Sequence, residues 1–125
     1  MLFFDTYALI EIIKGSLSYK PYIKEQFITT KYNLMELYYS LLRLFGEETA
    51  ERYYNLFLST CVSVSDATIK AAMKFRLSQR KQGNLISYVD CIGYFVALEN
   101  NVKLLTGEKH FRQLKNVEFV ASDLP

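Results

Sequence analysis

Residues 2–14, LFFDTYALIEIIK, contain a short apolar run, then an acid, then apolar residues at helical spacing. The run at 2–4 is typical of a strand buried in a parallel sheet, and positions 6–14 predict a helix. Gly15 is suited to end that helix. This stretch therefore predicts the first strand and first helix of an α/β fold, with Asp5 at the junction between them.

The same alternation of strand and helix continues along the chain. Further short strands are expected at 26–29, 61–64, 103–105 and 117–120, and further helices at 30–45, 47–59, 66–80 and 87–100. Alternation of this kind is typical of a sheet whose parallel strands are joined by helices. We therefore predict a three-layer α/β/α fold with a mostly parallel sheet of about five short strands. Residues 1–125 are expected to form one domain.

The composition limits the classes of protein to which the chain can belong. Half of the residues are hydrophobic and 22% are charged, which is typical of a globular domain and not of a disordered chain. No run approaches the roughly 18 to 20 apolar residues of a membrane helix, and the start of the sequence carries an acid and no basic leader. A cytoplasmic protein without a membrane segment is expected.

Net charge and cysteine content are less informative. The formal net charge is +2 and the pI is near 8.5, below the value of about 9 that marks a strong nucleic-acid footprint. Nucleic-acid binding is thus permitted but not implied. Cys61 and Cys91 lie far apart in apolar stretches, so we interpret them as small core residues and not as a disulfide or a thiol metal site.

Four acids follow the predicted strands or begin the helices after them. Asp5 follows the first strand, Glu108 follows the fourth through a Thr-Gly turn, and Glu36 lies early in the helix after the second. Asp90 lies in the first turn of a helix that is apolar nearly all round, where an unpaired charge would be costly. In parallel sheets, ligand sites form at the carboxyl ends of the strands. Converging carboxylates repel one another, and a divalent cation relieves the repulsion. Ligands that are all oxygen favour Mg²⁺ or Mn²⁺ over zinc.

Each acid also has an explanation that needs no metal. Asp90 stands three residues after Ser87, which is the spacing of a capping box at a helix start. Asp5 can cap the first helix in the same way. Glu36 shares a helix face with Arg43, which is typical of a solvated surface. The prediction of a metal site therefore depends on the four acids as a set.

Four stretches of the sequence, in order, carry a family resemblance. FFDTYALIEI (3–12), TTKYNLMELYYSLL (29–42), ISYVDCIGYFVAL (86–98) and LLTGEKHF (104–111) resemble the PIN domain of VapC-type ribonuclease toxins, over nearly the whole chain. The resemblance implies that one or two Mg²⁺ or Mn²⁺ ions are bound by Asp5, Glu36, Asp90 and Glu108, which would be the catalytic residues. It also implies that Thr6 and Thr106 orient these ligands without contacting the metal themselves.

The sequence departs from the family at the fourth acid. The family usually has Asp where this chain has Glu108, often with a second Asp two residues on, where this chain has His110. Glu keeps the charge but is longer, so the spacing of a metal and the rate are expected to differ. We interpret His110 as a turn or surface histidine, because a lone histidine is weak evidence of a ligand.

The resemblance implies hydrolysis of RNA phosphodiester bonds by the toxin of a toxin-antitoxin pair. It further implies a homodimer and a cognate antitoxin as partners. The basic residues that could hold the RNA backbone are Arg76, Arg80, Lys81, Lys109 and Arg112. A basic run is also typical of a solvated helix face, so this set is a weaker prediction than the acids.

Two other functions are compatible with the same residues. A PIN-like scaffold weakened by its altered fourth acid would act as an RNA- or protein-binding module. A phosphoryl-accepting, receiver-like domain also collects acids at strand ends, but this chain has a single acid after its first strand and no clear acceptor on a central strand.

Overall fold

Strand β1 (Leu2–Phe4) lies inside a parallel sheet in the computed structural model, which describes residues 1–124. It pairs on one side with β2 (Phe27–Ile28) and on the other with β3 (Lys103–Thr106), and β4 (Val117–Phe119) pairs with β3. All three pairings are parallel, and the strand order is β2-β1-β3-β4. The carboxyl ends of β1 and β3 therefore lie side by side, which brings the residues after them to one edge of the sheet.

The predicted strand at 61–64 is wrong, and the sheet of the described residues has four strands instead of five. Cys61 makes a single parallel bridge to Thr29, and the Val62 N–H donates to the Thr29 carbonyl at 2.9 Å. Val62 and Val64 instead pack their side chains against the core beside the sheet. The segment is apolar because it covers the core, so its composition alone could not distinguish it from a strand.

All five predicted helices form. They are α1 (Thr6–Lys14), α2 (Lys31–Phe45), α3 (Glu47–Phe57), α4 (Asp66–Lys81) and α5 (Tyr88–Glu99). Short 3₁₀ turns follow at Leu17–Tyr22, Leu58–Thr60 and Lys109–Phe111. Four of the helices begin at a side chain that accepts a backbone N–H from three residues on, and these caps are Asp5, Thr30, Ser65 and Ser87. The observed helix boundaries agree closely with those predicted from the sequence, because a cap depends only on residues close together in the chain.

The core lies on both faces of the sheet. Alternate residues of β1 point to opposite sides, so Phe4 packs with α1 and α2 while Phe3 packs with α5. Leu105 and Leu104 of β3 divide in the same way. The sheet is thus a middle layer between two layers of helices, which confirms the α/β/α fold. No helix within residues 1–124 is long and apolar enough to cross a membrane.

Candidate active site

Asp5 is almost fully buried at the junction of β1 and α1, with 1% of its surface exposed. Its Oδ1 accepts the Ala8 N–H at 2.9 Å, which confirms its role as a helix cap, but its buried Oδ2 has no hydrogen-bond partner. Burial raises the pKa of Asp5 to about 8. The Thr106 hydroxyl and the Ala8 N–H lower that pKa, whereas the nearby Asp90 and Glu108 carboxyls raise it. A buried carboxyl with a free oxygen is costly unless it is protonated or binds a cation.

Asp90 is half-buried in the first turn of α5, and its N–H donates to the Ser87 hydroxyl at 3.1 Å. Burial raises the pKa of Asp90 to about 6, and the Ser87 hydroxyl acts in the opposite direction. The Glu36 and Glu108 carboxylates raise the same pKa, and His110 lowers it. Asp90 therefore contacts the cap of its helix through its backbone, while its carboxyl lies within the electric field of two other predicted ligands.

Glu36 of α2 is held by the first residue of α1. The Thr6 hydroxyl donates to Glu36 Oε1 at 2.7 Å, and the Asn33 side-chain amide donates to Thr6 Oγ1 at 3.2 Å. Burial raises the pKa of Glu36, while the Thr6 hydroxyl lowers it. Glu36 is thus half-buried against α1, which argues against a fully solvated face as the explanation for this acid.

Glu108 follows β3 through a turn that only glycine can make. A Cβ on Gly107 would collide with the Tyr7 ring and the Val120 carbonyl oxygen. The Glu108 N–H donates to Thr106 Oγ1 at 3.0 Å, which ties the turn to the end of the strand. Glu108 Oε1 lies 2.5 Å from His110 Nδ1 and also accepts the His110 N–H at 3.1 Å. His110 is therefore a turn histidine that orients the fourth acid.

The four predicted acids come together at one edge of the sheet. Asp5 interacts electrostatically with Asp90 and Glu108, and Asp90 interacts with Glu36 and Glu108. Across residues 1–124, however, no group of three or more His, Cys, Asp or Glu side chains is placed to hold a metal ion. The carboxylate oxygens and the unpartnered Asp5 Oδ2 are chemically suited to a hard divalent cation. Binding such an ion would require these side chains to move closer together.

The sequence predicts supporting roles for Thr6 and Thr106, but it did not draw attention to Asn33. Thr6 contacts Glu36, and Thr106 contacts the Glu108 backbone. Asn33 is fully buried on α2, where it links Thr6 to the Thr30 hydroxyl, which donates to Asn33 Oδ1 at 2.7 Å. The sequence signal for Asn33 was its spacing, three residues after the helix cap Thr30 and three residues before Glu36. Its position indicates that α1 and α2 are joined by hydrogen bonds directly behind the acids.

The predicted RNA-binding residues lie in different surroundings. Arg80 and Lys81 are exposed at the end of α4. Lys109 lines a polar groove of about 380 Å³ that also contains Asn84 and His110. The Arg112 guanidinium lies over the Phe119 ring, 4.5 Å from its centre.

Arg76 is held by both a hydrogen bond and a ring contact. Its Nε donates to the Ile86 carbonyl at 3.1 Å, and its guanidinium lies 3.9 Å from the centre of the Tyr88 ring. A guanidinium held in this way is less free to grip a phosphate than an extended arginine would be.

The chain matches a protein family model and several solved structures. A family model described as "PIN domain" matches residues 2–117. None of the curated proteins compared with the chain matches it.

Several solved structures share the fold at low sequence identity. A chain of a toxin-antitoxin complex from Klebsiella pneumoniae superposes with a TM-score of 0.72 at 19% identity, covering 94% of this chain and 96% of that one. A chain of VapBC2 from Rickettsia felis, bound to a fragment of promoter DNA, gives 0.70 at 20% identity, covering 98% and 100%. VapC20 from Mycobacterium tuberculosis, described as a toxin that cleaves the Sarcin-Ricin loop, gives 0.69 at 20% identity, covering 85% and 87%.

Proposed function

Because the chain belongs to the PIN domain family, we propose that it is a metal-dependent endoribonuclease that hydrolyses RNA phosphodiester bonds. The observation that carries this proposal is Asp5, a buried carboxyl with an unpartnered oxygen at the end of a parallel strand. The nearby Asp90 and Glu108 raise its pKa, so the protein concentrates negative charge where a cation would be stabilising. We propose further that residues 1–125 act as one nuclease domain in the cytoplasm, where its RNA substrate would be found.

The residues that would hold Mg²⁺ or Mn²⁺ are Asp5, Asp90, Glu36 and Glu108. When bound, such an ion supplies a Lewis acid that offsets charge on the phosphate and lowers the pKa of a water molecule. The protein prepares these ligands through its own hydrogen bonds: Thr6 fixes one oxygen of Glu36, and Thr106 fixes the backbone of Glu108. With a pKa raised to about 8, Asp5 retains its proton at neutral pH in the metal-free protein, whereas Asp90 retains its own only below about pH 6. Cation binding at neutral pH would therefore release a proton chiefly from Asp5.

The direct test is cleavage of structured RNA by the purified protein. A pool that includes transfer RNA and ribosomal stem-loops is incubated with Mg²⁺, Mn²⁺ or a chelator, and new 5′ ends are mapped by sequencing. We expect cleavage at discrete positions with either metal and none with chelator. Equal cleavage in the presence of chelator would contradict a metal-dependent mechanism.

One observation favours a second candidate, a binding module without catalysis. Glu108 Oε1 is engaged by His110, and no three-ligand group is formed by the acids of the described part of the chain. Binding of RNA with no cleavage under any metal condition would support this alternative. The receiver-like alternative is not supported, because the chain belongs to a different family.

Removing the charge of Glu108 is expected to slow RNA cleavage, because this carboxylate adds to the negative field at Asp5 and Asp90. Glu108→Gln retains an oxygen that can accept the His110 N–H and so preserves the turn. Because Glu108 is one of the four proposed ligands, we expect the cleavage rate to fall at least about 10-fold, the lower limit for groups that merely support a metal ligand. Glu47→Gln, an exposed acid at the start of α3, is the matched control. An unchanged rate in Glu108→Gln would assign Glu108 to the turn alone.

We propose that the protein acts as the toxin of a toxin-antitoxin pair, with a cognate antitoxin as its partner. Similar folds occur in chains from complexes described as toxin-antitoxin or VapBC assemblies, including VapBC-1 from nontypeable Haemophilus influenzae. An acidic pocket would attract an arginine of such an inhibitor. Induced expression in a bacterial host is expected to arrest growth, whereas expression of Asp5→Asn is not.

We also propose a homodimer, in which a second copy covers an apolar stripe on α2. The stripe consists of Tyr32, Met35, Tyr39 and Leu42, all exposed and spaced by three or four residues along one helix face. A single helix stripe can pack against its own copy about a two-fold axis.

Charge placed in the α2 stripe is expected to produce a monomer. In light scattering the protein should have about twice the 14.6 kDa mass of one chain, and Tyr39→Glu should have the mass of one chain. Leu77→Glu, on the exposed side of α4, should remain dimeric. If Tyr39→Glu also remains dimeric, the stripe is not the interface, and a monomeric parent protein would contradict the homodimer itself.

A further inference from the structure

Tyr88 is an exposed aromatic residue on a helix that is mostly buried. It is the first residue of α5, and 60% of its surface is exposed, whereas Val89, Cys91 and Ile92 are buried. Asp90, one of the four predicted metal ligands, lies two residues further on in the same helical turn. Packing does not explain the exposure of a large ring in this position, one helical turn or less from a predicted metal ligand.

Arg76 holds this ring from one side. Its guanidinium lies 3.9 Å from the ring centre, which is a stacking distance, and its Nε donates to the Ile86 carbonyl at 3.1 Å. The hydrogen bond fixes the guanidinium to the segment that leads into α5. The Tyr88 ring therefore packs against a guanidinium that cannot move freely. Since one face is covered and the side chain is still largely exposed, the other face of the ring is open to solvent.

We propose that Tyr88, backed by Arg76, is a stacking platform for a base of single-stranded RNA next to the carboxylates. This inference rests on the proposed function and names a substrate contact for the same site. Single-stranded nucleic acids are held by aromatic faces and guanidinium planes, since every base has a π-face. A ring already fixed by Arg76 loses little further freedom when a base stacks on it.

Stacking also suits the electrostatics of this edge. The four carboxylates repel the phosphates of an approaching strand until a cation is bound. A base–ring contact does not depend on phosphate charge, and the positive charge of Arg76 behind the ring partly offsets the repulsion. On this basis Arg76 contributes to RNA binding through the ring that it holds.

A route for neighbouring nucleotides runs along α4. Gln79 is three residues after Arg76 and so lies on the same side of that helix. The Asn84 side-chain amide donates to Gln79 Oε1 at 2.8 Å and to the His110 carbonyl at 3.0 Å, so Asn84 joins α4 to the turn that carries Glu108. Gln79, Asn84 and His110 line the same polar groove as Lys109. A strand stacked on Tyr88 could continue into this groove.

The absence of tryptophan from the chain permits a direct test of stacking. Tyr88→Trp keeps a stacking ring and introduces a single tryptophan, and Leu56→Trp places the same probe on the exposed face of α3 as a control. Each variant is titrated with a 2′-O-methyl RNA oligonucleotide, which keeps its bases but resists cleavage. We expect saturable quenching of the emission of Tyr88→Trp and no quenching of Leu56→Trp.

Affinity for the same oligonucleotide provides the second readout. Tyr88→Ala is expected to weaken binding roughly 5- to 100-fold, the range for removal of one base–aromatic stack, and Tyr88→Phe to change it less than about twofold. Leu56→Ala, on the exposed face of α3, is expected to bind as the parent protein does. A melting temperature measured for each variant separates loss of the platform from loss of the fold.

The outcomes distinguish this inference from the proposed function. Normal oligonucleotide binding by Tyr88→Ala, or unquenched emission from Tyr88→Trp, would overturn the platform even if the protein cleaves RNA. Normal RNA binding by Tyr88→Ala together with weakened binding to a protein partner would assign the ring to that partner. Quenching and weakened binding without RNA cleavage by the parent protein would support the platform and contradict the nuclease.

Discussion

Asp5→Asn is expected to abolish metal-dependent RNA cleavage and to leave a folded protein. Asparagine can accept the Ala8 N–H as a helix cap, so the start of α1 should persist. The change removes the negative charge that a divalent cation needs at the end of β1. Loss of groups that merely support a metal ligand costs about 10- to 100-fold. We therefore expect a loss of more than about 100-fold in cleavage rate for a direct ligand.

The measurement is the initial rate of RNA cleavage in Mg²⁺, compared with the rate for Asp66→Asn. Asp66 is an exposed acid in the first turn of α4, so its replacement changes the net charge equally and leaves the site intact. Circular dichroism and a melting curve establish that both variants are folded. Cleavage by Asp5→Asn at the rate of the parent protein would contradict the assignment of Asp5 as a metal ligand.

The stability of the metal-free protein is expected to fall as pH rises from about 4 to 8. In the folded protein Asp5 keeps its proton up to a pKa of about 8, because burial disfavours the carboxylate, whereas the ordinary value is 3.8. Between these values the folded state binds more protons than the unfolded state, so the free energy of unfolding decreases with pH. Asp90, with a pKa of about 6, adds to the decrease over the lower part of this range. A difference of one pKa unit between the folded and unfolded states changes the free energy of unfolding by about 1.4 kcal/mol. The melting temperature should therefore change by several degrees or more over this pH range.

Melting temperatures of the parent protein and Asp5→Asn, measured with chelator across this pH range, test the prediction. Asp5→Asn should be less sensitive to pH than the parent protein, and more stable than it near pH 8, because it has no carboxylate to ionise. Added Mg²⁺ should stabilise the parent protein most at high pH, where binding displaces few protons, and should stabilise Asp5→Asn little. A parent protein whose metal-free stability rises between pH 4 and 8 would contradict the raised pKa of Asp5.

Local signals explain what was predicted correctly from the sequence. Helix caps such as Thr30 and Ser87 depend on residues three positions apart, and the helices began close to the expected positions. The acids at the ends of β1 and β3 could be located because parallel strands share one carboxyl edge.

Long-range contacts explain what could not be predicted. The contact between Thr6 and Glu36 joins residues thirty positions apart. Because of it Glu36 is half-buried, although its position on the helix was compatible with a solvated surface. The Tyr88 ring and the Arg76 guanidinium meet only because α4 and α5 pack together. The apolar run at 61–64 makes one bridge to Thr29 and then covers the core. Composition alone does not distinguish a segment that covers the core from a strand of the sheet.

The pairing of β1 with β3 has a consequence for synthesis of the protein. Strand β1 leaves the ribosome well before its partner Lys103–Thr106, which lies much later in the chain. Asp5 and Glu108 therefore cannot come together in a nascent chain, whose emerged part contains only the first of them. If the folded protein cuts RNA, the ribosome that makes it would be exposed to cleavage only after β3 and Glu108 have emerged from it.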